Sequence, residues 1–174
     1  EWGIHHLDML RALAGSDAKT VYAKTWRPPW SRLKSDTSCA VTIEMENGVH
    51  ALYEGIQENA ARLNTWQDEY FRAECEFGTV IMDHQQVKVV RSTDLQSEEI
   101  IHVPLLKRRA WLHAWLIEMF VEWIGGGDEP PNNLDDNLQC CALLFASIES
   151  AHTGMPVAVQ EFLNSYMDNE AQNG

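Results

Sequence analysis

The sequence predicts an α+β domain: a mainly antiparallel open sheet of about six strands with helices packed on one face. Three observations carry this expectation. Apolar residues recur at helical spacing near both ends of the chain, over residues 4–14, 111–124 and 133–153. Between residues 20 and 103 they alternate with polar ones at period two. Asn47-Gly48 punctuates that alternation as a hairpin turn, because both residues accept positive φ. Helices at the ends and strands in the middle are segregated elements, whereas a parallel α/β sheet would interleave them.

Ile4, Leu7, Leu10 and Leu13 make the first helix, with Gly15 as its stop. Val21 to Trp26 reads as a strand, broken by Pro28, Pro29 and Trp30. Cys39, Val41, Ile43 and Met45 form the buried face of the next strand. If Asn47-Gly48 is a two-residue turn, Glu46 faces Val49, Ile43 faces Leu52 and Met45 faces His50. Leu52 and Ile56 then join the apolar face, while Tyr53 falls with Thr42 and Ala51 on a mixed face suited to a partner subunit. Phe71, Ala73, Cys75 and Phe77 alternate in another strand, and Thr79 to Met82, Val87 to Val90 and Ile100 to Val103 complete the sheet. Trp111, Trp115, Leu116, Met119, Phe120, Trp123 and Ile124 make a wide apolar helix face, expected in the core and ended by Gly125-Gly126-Gly127. A further helix starts near Asn133 or Asp135 and is expected to bury Leu138, Cys141, Phe145 and Ile148 before Gly154 and Pro156 end it. Val157, Val159 and Phe162 suggest a short final strand or extended segment.

Among 174 residues, 13 Lys and Arg stand against 26 Asp and Glu, a net charge of −13. A surface of that sign repels phosphate backbones and anionic lipid, so neither nucleic acid nor membrane is an expected partner. No apolar run approaches the ~18 residues of a membrane span, and no signal peptide is visible. Cys39, Cys75, Cys140 and Cys141 lack CxxC spacing and read as reduced, mostly buried thiols of a cytoplasmic protein. No GxGxxG, GxxxxGK[ST], HExxH or GxSxG occurs, and Gly125-Gly126-Gly127 follows a helix rather than a strand. The chain is therefore not expected to hold a dinucleotide itself, nor a metal.

The densest set of chemistry-bearing side chains is Glu1, His5, His6 and Asp8. On a helix His5 and Asp8 are i,i+3 neighbours, and a carboxylate beside an imidazole fixes its tautomer and raises its basicity, as a general acid–base requires. A solvated helix start has the same composition. Adjacent histidines point about 100° apart, so His5, His6 and His50 make a poor metal set.

Gly3-x-His5-His6-Leu7-Asp8-Met9-Leu10-Arg11-x-Leu13-x-Gly15 resembles the opening of the C-terminal domain of the glucose–fructose oxidoreductase, inositol dehydrogenase and rhizopine-catabolism (Gfo/Idh/MocA) family. The likeness continues through Val21-Tyr22-Ala23, Glu46-Asn47-Gly48, Trp66 and Phe77-Gly78-Thr79-Val80. It ends in the run from Ala146-Ser147-Ile148-Glu149-Ser150-Ala151 to Gly154-Met155-Pro156-Val157. The resemblance implies a dihydrodipicolinate-reductase-like fold. It makes residues 1–174 a single substrate-binding and oligomerisation domain, the C-terminal half of a two-domain oxidoreductase. His5 would accept the proton of a substrate hydroxyl while hydride passes to NAD or NADP, and Asp8 would orient it. Glu1, where the family often has Asp, and His6 would touch substrate. The cofactor glycines and the catalytic lysine of a Glu-Lys-Pro motif belong to the family's N-terminal Rossmann domain, and neither is in this chain. The expected activity is thus an NAD(P)-dependent dehydrogenase of a sugar, polyol or related molecule, with residues 1–174 alone inactive and the whole a homodimer or higher oligomer through the sheet face. An NAD-dependent glycoside hydrolase domain and a non-catalytic ligand-sensing or dimerisation module are the alternatives.

Weaker signals are read as structural. His50 and Glu54 suit a strand end better than a pocket, Arg27, Trp26 and Trp30 suit loop packing, and Lys107-Arg108-Arg109 suits a solvated loop.

Overall fold

The computed structural model describes residues 3–61, 63, 64, 68–92, 94 and 97–173. In chain order the elements are α1 (Gly3–Ala14), β1 (Ala18–Trp26), β2 (Ser38–Met45), β3 (His50–Ile56), β4 (Phe71–Cys75), β5 (Gly78–Asp83), β6 (Gln86–Ser92), β7 (Glu98–Val103), α2 (His113–Ile124), α3 (Leu134–Thr153), β8 (Val157–Ala158) and α4 (Val159–Asn173). The α+β class and the antiparallel pairing match the expectation. The strands divide into two four-stranded sheets, β3-β2-β1-β8 and β4-β5-β6-β7. They belong to two compact units, Glu1–Glu58 with Met119–Gly174, and Asn59–Glu118.

In the first unit one face of the β3-β2-β1-β8 sheet is the core. Val21, Ala23, Val41, Ile43 and Met45 from β1 and β2 meet Leu7 of α1 and Ala142, Leu143 and Ala146 of α3. α3 thus packs through small residues plus Leu143, and Phe145 and Ile148, expected inside, are exposed. Small side chains let the helix lie close to the sheet, and the bulky stripe turns outward. Asn133 caps α3, accepting from the Asp136 N–H at 3.0 Å, and Gly154 ends it at φ 71°. The fully buried Ser150 ties α3 to the sheet: its Oγ accepts from the Ala23 N–H at 2.9 Å and donates to the Met155 carbonyl at 2.7 Å. Ser150 takes over there because β8 pairs with β1 only at Val21 and Thr20. Val159 and Phe162, expected in a strand or extended segment, begin α4 instead.

The β2–β3 hairpin corrects the expected register. Ile43 pairs with Ala51, Val41 with Tyr53 and Thr42 with Leu52, one residue from the two-residue-turn alignment. The Met45 N–H donates to the Val49 carbonyl at 2.8 Å, so the loop is Glu46-Asn47-Gly48, with Gly48 at φ 84°. That is a three-residue loop closed by a left-handed glycine, which Asn-Gly serves as well as the two-residue turn. A slip of one residue exchanges faces. Ala51 and Tyr53 therefore face the core side, while His50, Leu52, Glu54 and Ile56 are exposed, Leu52 at 78%. The loop is anchored on α1, since Asn47 Nδ2 donates to the Ala14 carbonyl at 2.9 Å.

In the second unit, cross-strand partners place Phe71, Met82, Val87 and Val103 in one row and Ala73, Val80, Val89 and Ile101 in the next. Cys75 pairs with Gly78, so Phe77 stands in the turn, 78% exposed, rather than in the strand.

α2 buries none of its residues. Trp111 and Trp123, expected in the core, are exposed, and the Arg108 guanidinium sits 4.3 Å from the Trp115 ring centroid, so a cation covers that ring.

Candidate functional site

α1 begins at Gly3 and displays His5, His6 and Asp8 in its first two turns. Glu1 and Trp66 lie outside the described residues. His5 is exposed and His6 half-buried. His6 Nδ1 lies 2.9 Å from the Tyr53 hydroxyl, with the ring centroids 5.4 Å apart. Tyr53 reaches it because the three-residue loop turns that side chain to the α1 side of β3. A two-residue turn sends it to the opposite face, so the sequence does not point to this contact. Gly48 does not separate the two, because its left-handed φ suits either loop length.

Asp8 is engaged by an arginine: Arg11 Nη1 donates to its Oδ1 at 3.0 Å. Arg11 is 7% exposed, and its Nη2 also reaches Asp17 at 2.7 Å and Asp136 at 2.9 Å. Burial opposes the charge, yet the hydrogen bonds that the guanidinium donates to Asp17 and Asp136, with their negative charge, outweigh it and hold Arg11 above its ordinary value. Because Asp136 belongs to α3, this cluster clamps α1 and fixes the height of its first turn. Cys140 of α3 completes the contact, its thiol donating to the Ile4 carbonyl at 3.5 Å. Burial, reinforced by the charge of Asp8, pushes that thiol up to about 12. It remains protonated and is no nucleophile at neutral pH.

The structure thus gathers His5, His6 and Asp8 on one helix start and adds Tyr53 and Arg11. It separates His50 and Glu54 from them, on the opposite face of β3. Trp30 donates to the Glu58 carbonyl at 2.9 Å, and Arg27 to the Ser31 carbonyl at 3.1 Å, both as local loop packing. A hollow of about 720 Å³ in the second unit, lined by residues including Glu76, Phe77, Arg91 and Glu99, holds none of the α1 residues.

The glycine run does not suit a dinucleotide phosphate. The N–H groups of Gly125, Gly126 and Gly127 donate to the carbonyls of Val121, Trp123 and Glu122, so all three cap α2. Among the described residues no helix is long and apolar enough to cross a membrane.

Residues 1–81 match the family model described as the GFO/IDH/MocA C-terminal domain. The uncharacterized protein y4oX of Sinorhizobium fredii is 41% identical over 172 residues, which cover 95% of this chain and 48% of the relative. The uncharacterized oxidoreductase YrbE of Bacillus subtilis is 26% identical over 165 residues, covering 92% of this chain and 47% of the relative. The chain spans about half the length of the curated relatives it matches. The crystal structure of an oxidoreductase from Agrobacterium radiobacter in complex with NAD+, L-tartaric acid and magnesium superposes with a TM-score of 0.71 at 22% identity. It covers 92% of this chain and 48% of that one. At that identity the likeness is one of fold.

Proposed function

We propose that the chain, whose residues 1–81 match the Gfo/Idh/MocA C-terminal domain, supplies the substrate-binding half of an NAD(P)-dependent dehydrogenase of that family. The substrate class is a sugar, a polyol or a related hydroxylated molecule. The observation that carries the reading is the start of α1, where exposed His5, half-buried His6 and the arginine-held Asp8 share two helical turns. Imidazole is the side chain suited to taking a hydroxyl proton near neutral pH, and carboxylates suit hydroxyl recognition. The L-tartaric acid in the Agrobacterium structure is a hydroxylated molecule of the kind proposed.

In this reading His5 takes the proton of the substrate hydroxyl as the carbonyl forms, and Asp8 and His6 hold neighbouring oxygens. Glu1 contributes a further substrate contact. A bound NAD or NADP would supply the hydride acceptor. Among the described residues the glycine run is spent on capping α2, so this reading assigns the cofactor to another domain and His5 only the proton. The whole protein is a homodimer or higher oligomer through the outer face of the β3-β2-β1-β8 sheet, a role supported by the exposure of Tyr22, Leu52 and Ile56 there. The cytoplasm is the compartment in which this reading places it.

The test is a panel of sugars, polyols and hydroxy acids offered to the intact protein with NAD and with NADP. Formation of reduced nicotinamide with a hydroxylated substrate is expected. Reduced nicotinamide with none of them would sink the dehydrogenase reading.

A further inference from the structure

The register of β3 brings into the site one residue that its place in the chain hides. Tyr53 faces α1, and its phenol lies along the strand over Gly55. A Cβ on Gly55 would stand 2.7 Å from the Tyr53 hydroxyl and 3.0 Å from both its Cζ and Cys39 Sγ, so a glycine is what gives the phenol its seat. From that seat the hydroxyl lies 2.9 Å from His6 Nδ1, with the two ring planes inclined at 38°. α1 closes over the ring at Gly3, where a Cβ would lie 3.9 Å from Tyr53 Cε1. The pair therefore links β3 to the first turn of α1 at the place where His5 and Asp8 are displayed.

We propose that Tyr53 is a positioning residue: its hydroxyl donates to Nδ1 of His6, fixes the imidazole in its Nε2–H form and so makes His6 a hydrogen-bond donor to a substrate oxygen. The proposal rests on the reading of α1 as the substrate-binding element and adds to it the state in which His6 works. A neutral imidazole nitrogen is a better acceptor than a phenolic oxygen, so the phenol is the donor of the pair. Once Nδ1 accepts, the ring's proton resides on Nε2, and His6 can donate to a ligand but cannot take a proton from it there. His5, one residue earlier and about 100° around the helix, keeps the acceptor's role. Two adjacent histidines thereby divide the work, one receiving the hydroxyl proton and one gripping an oxygen.

The test uses Tyr53→Phe, which keeps the ring over Gly55 and deletes only the hydroxyl, in histidine-selective ¹⁵N spectra of the intact protein. Wild type is expected to show neutral His6 as one Nε2–H tautomer. The variant is expected to show a mixture, with the His5 signals unmoved. Gly55→Ala, which displaces the phenol, should produce the same change in His6 by a second route. A His6 spectrum indifferent to both substitutions overturns the proposal. In turnover, Tyr53→Phe should raise KM for the hydroxylated substrate about tenfold, the worth of one good hydrogen bond, and leave kcat within about threefold. A loss confined to kcat overturns the donor role. If His6 responds as expected while no hydroxylated substrate yields reduced nicotinamide, the dehydrogenase reading fails and the coupling of Tyr53 to His6 stands.

Discussion

The guanidinium of Arg11 is shared among Asp8, Asp17 and Asp136, and it is the buried member of that set. Removing it leaves three carboxylates without their cation beside a buried gap. Arg11→Met is expected to cost about 3 kcal/mol, the lower end for breaking a buried pair because the carboxylates are partly solvated. Arg11→Lys, which keeps the charge but loses the fork, should cost less. Urea unfolding of both variants checks this, and equal stability of Arg11→Met and wild type would contradict the clamp. Cys140 makes a second prediction. Its thiol is raised from 9.0 to about 12, so the fold favours the neutral form. That contribution is present below the unfolded value and is lost as pH rises through the folded one. With iodoacetamide at neutral pH, exposed Cys75 should alkylate first and Cys140 last, read peptide by peptide by mass spectrometry. At this scale helical spacing in the sequence places His5, His6 and Asp8 together at one helix start, as α1 has them. It did not show that an arginine would hold Asp8, because Asp136 lies 125 positions along the chain from Arg11.

The hairpin and α3 show where reading an element from its residues succeeds and where it stops. Alternation located β2 correctly, since Val41, Ile43 and Met45 are buried as their period demands. It could not place β3, because Asn-Gly fits a two-residue turn and a three-residue loop equally and the choice exchanges the faces. Leu52→Ser tests the observed register. At 78% exposure it should change the stability of the dilute protein by no more than about 0.5 kcal/mol, whereas a core leucine would cost about 2 kcal/mol or more. α3 was placed correctly by Asn133, Gly154 and Pro156. Its buried face does not follow side-chain bulk, because close contact with the sheet favours Ala142, Ala146 and Ser150. Ser150→Ala, which orphans the Ala23 N–H, should cost about 1–3 kcal/mol in the same unfolding experiment.

At the scale of the molecule, the α+β class followed from segregated periodicities. The division into two sheets did not, because no composition shift marks the boundary near Asn59. The proposed function likewise exceeds this chain, which spans about half of its curated relatives and carries no GxGxxG. Residues 1–174 alone should therefore show no NAD or NADP binding by calorimetry, and tight binding would contradict the assignment of the cofactor to another domain. The central claim is that α1 supplies the proton acceptor of a dehydrogenase, and it is tested most directly by His5→Ala in the intact protein. With a substrate found in the hydroxyl panel, kcat should fall about 100-fold or more while equilibrium substrate binding changes by less than about threefold. Turnover equal to that of wild type would contradict it.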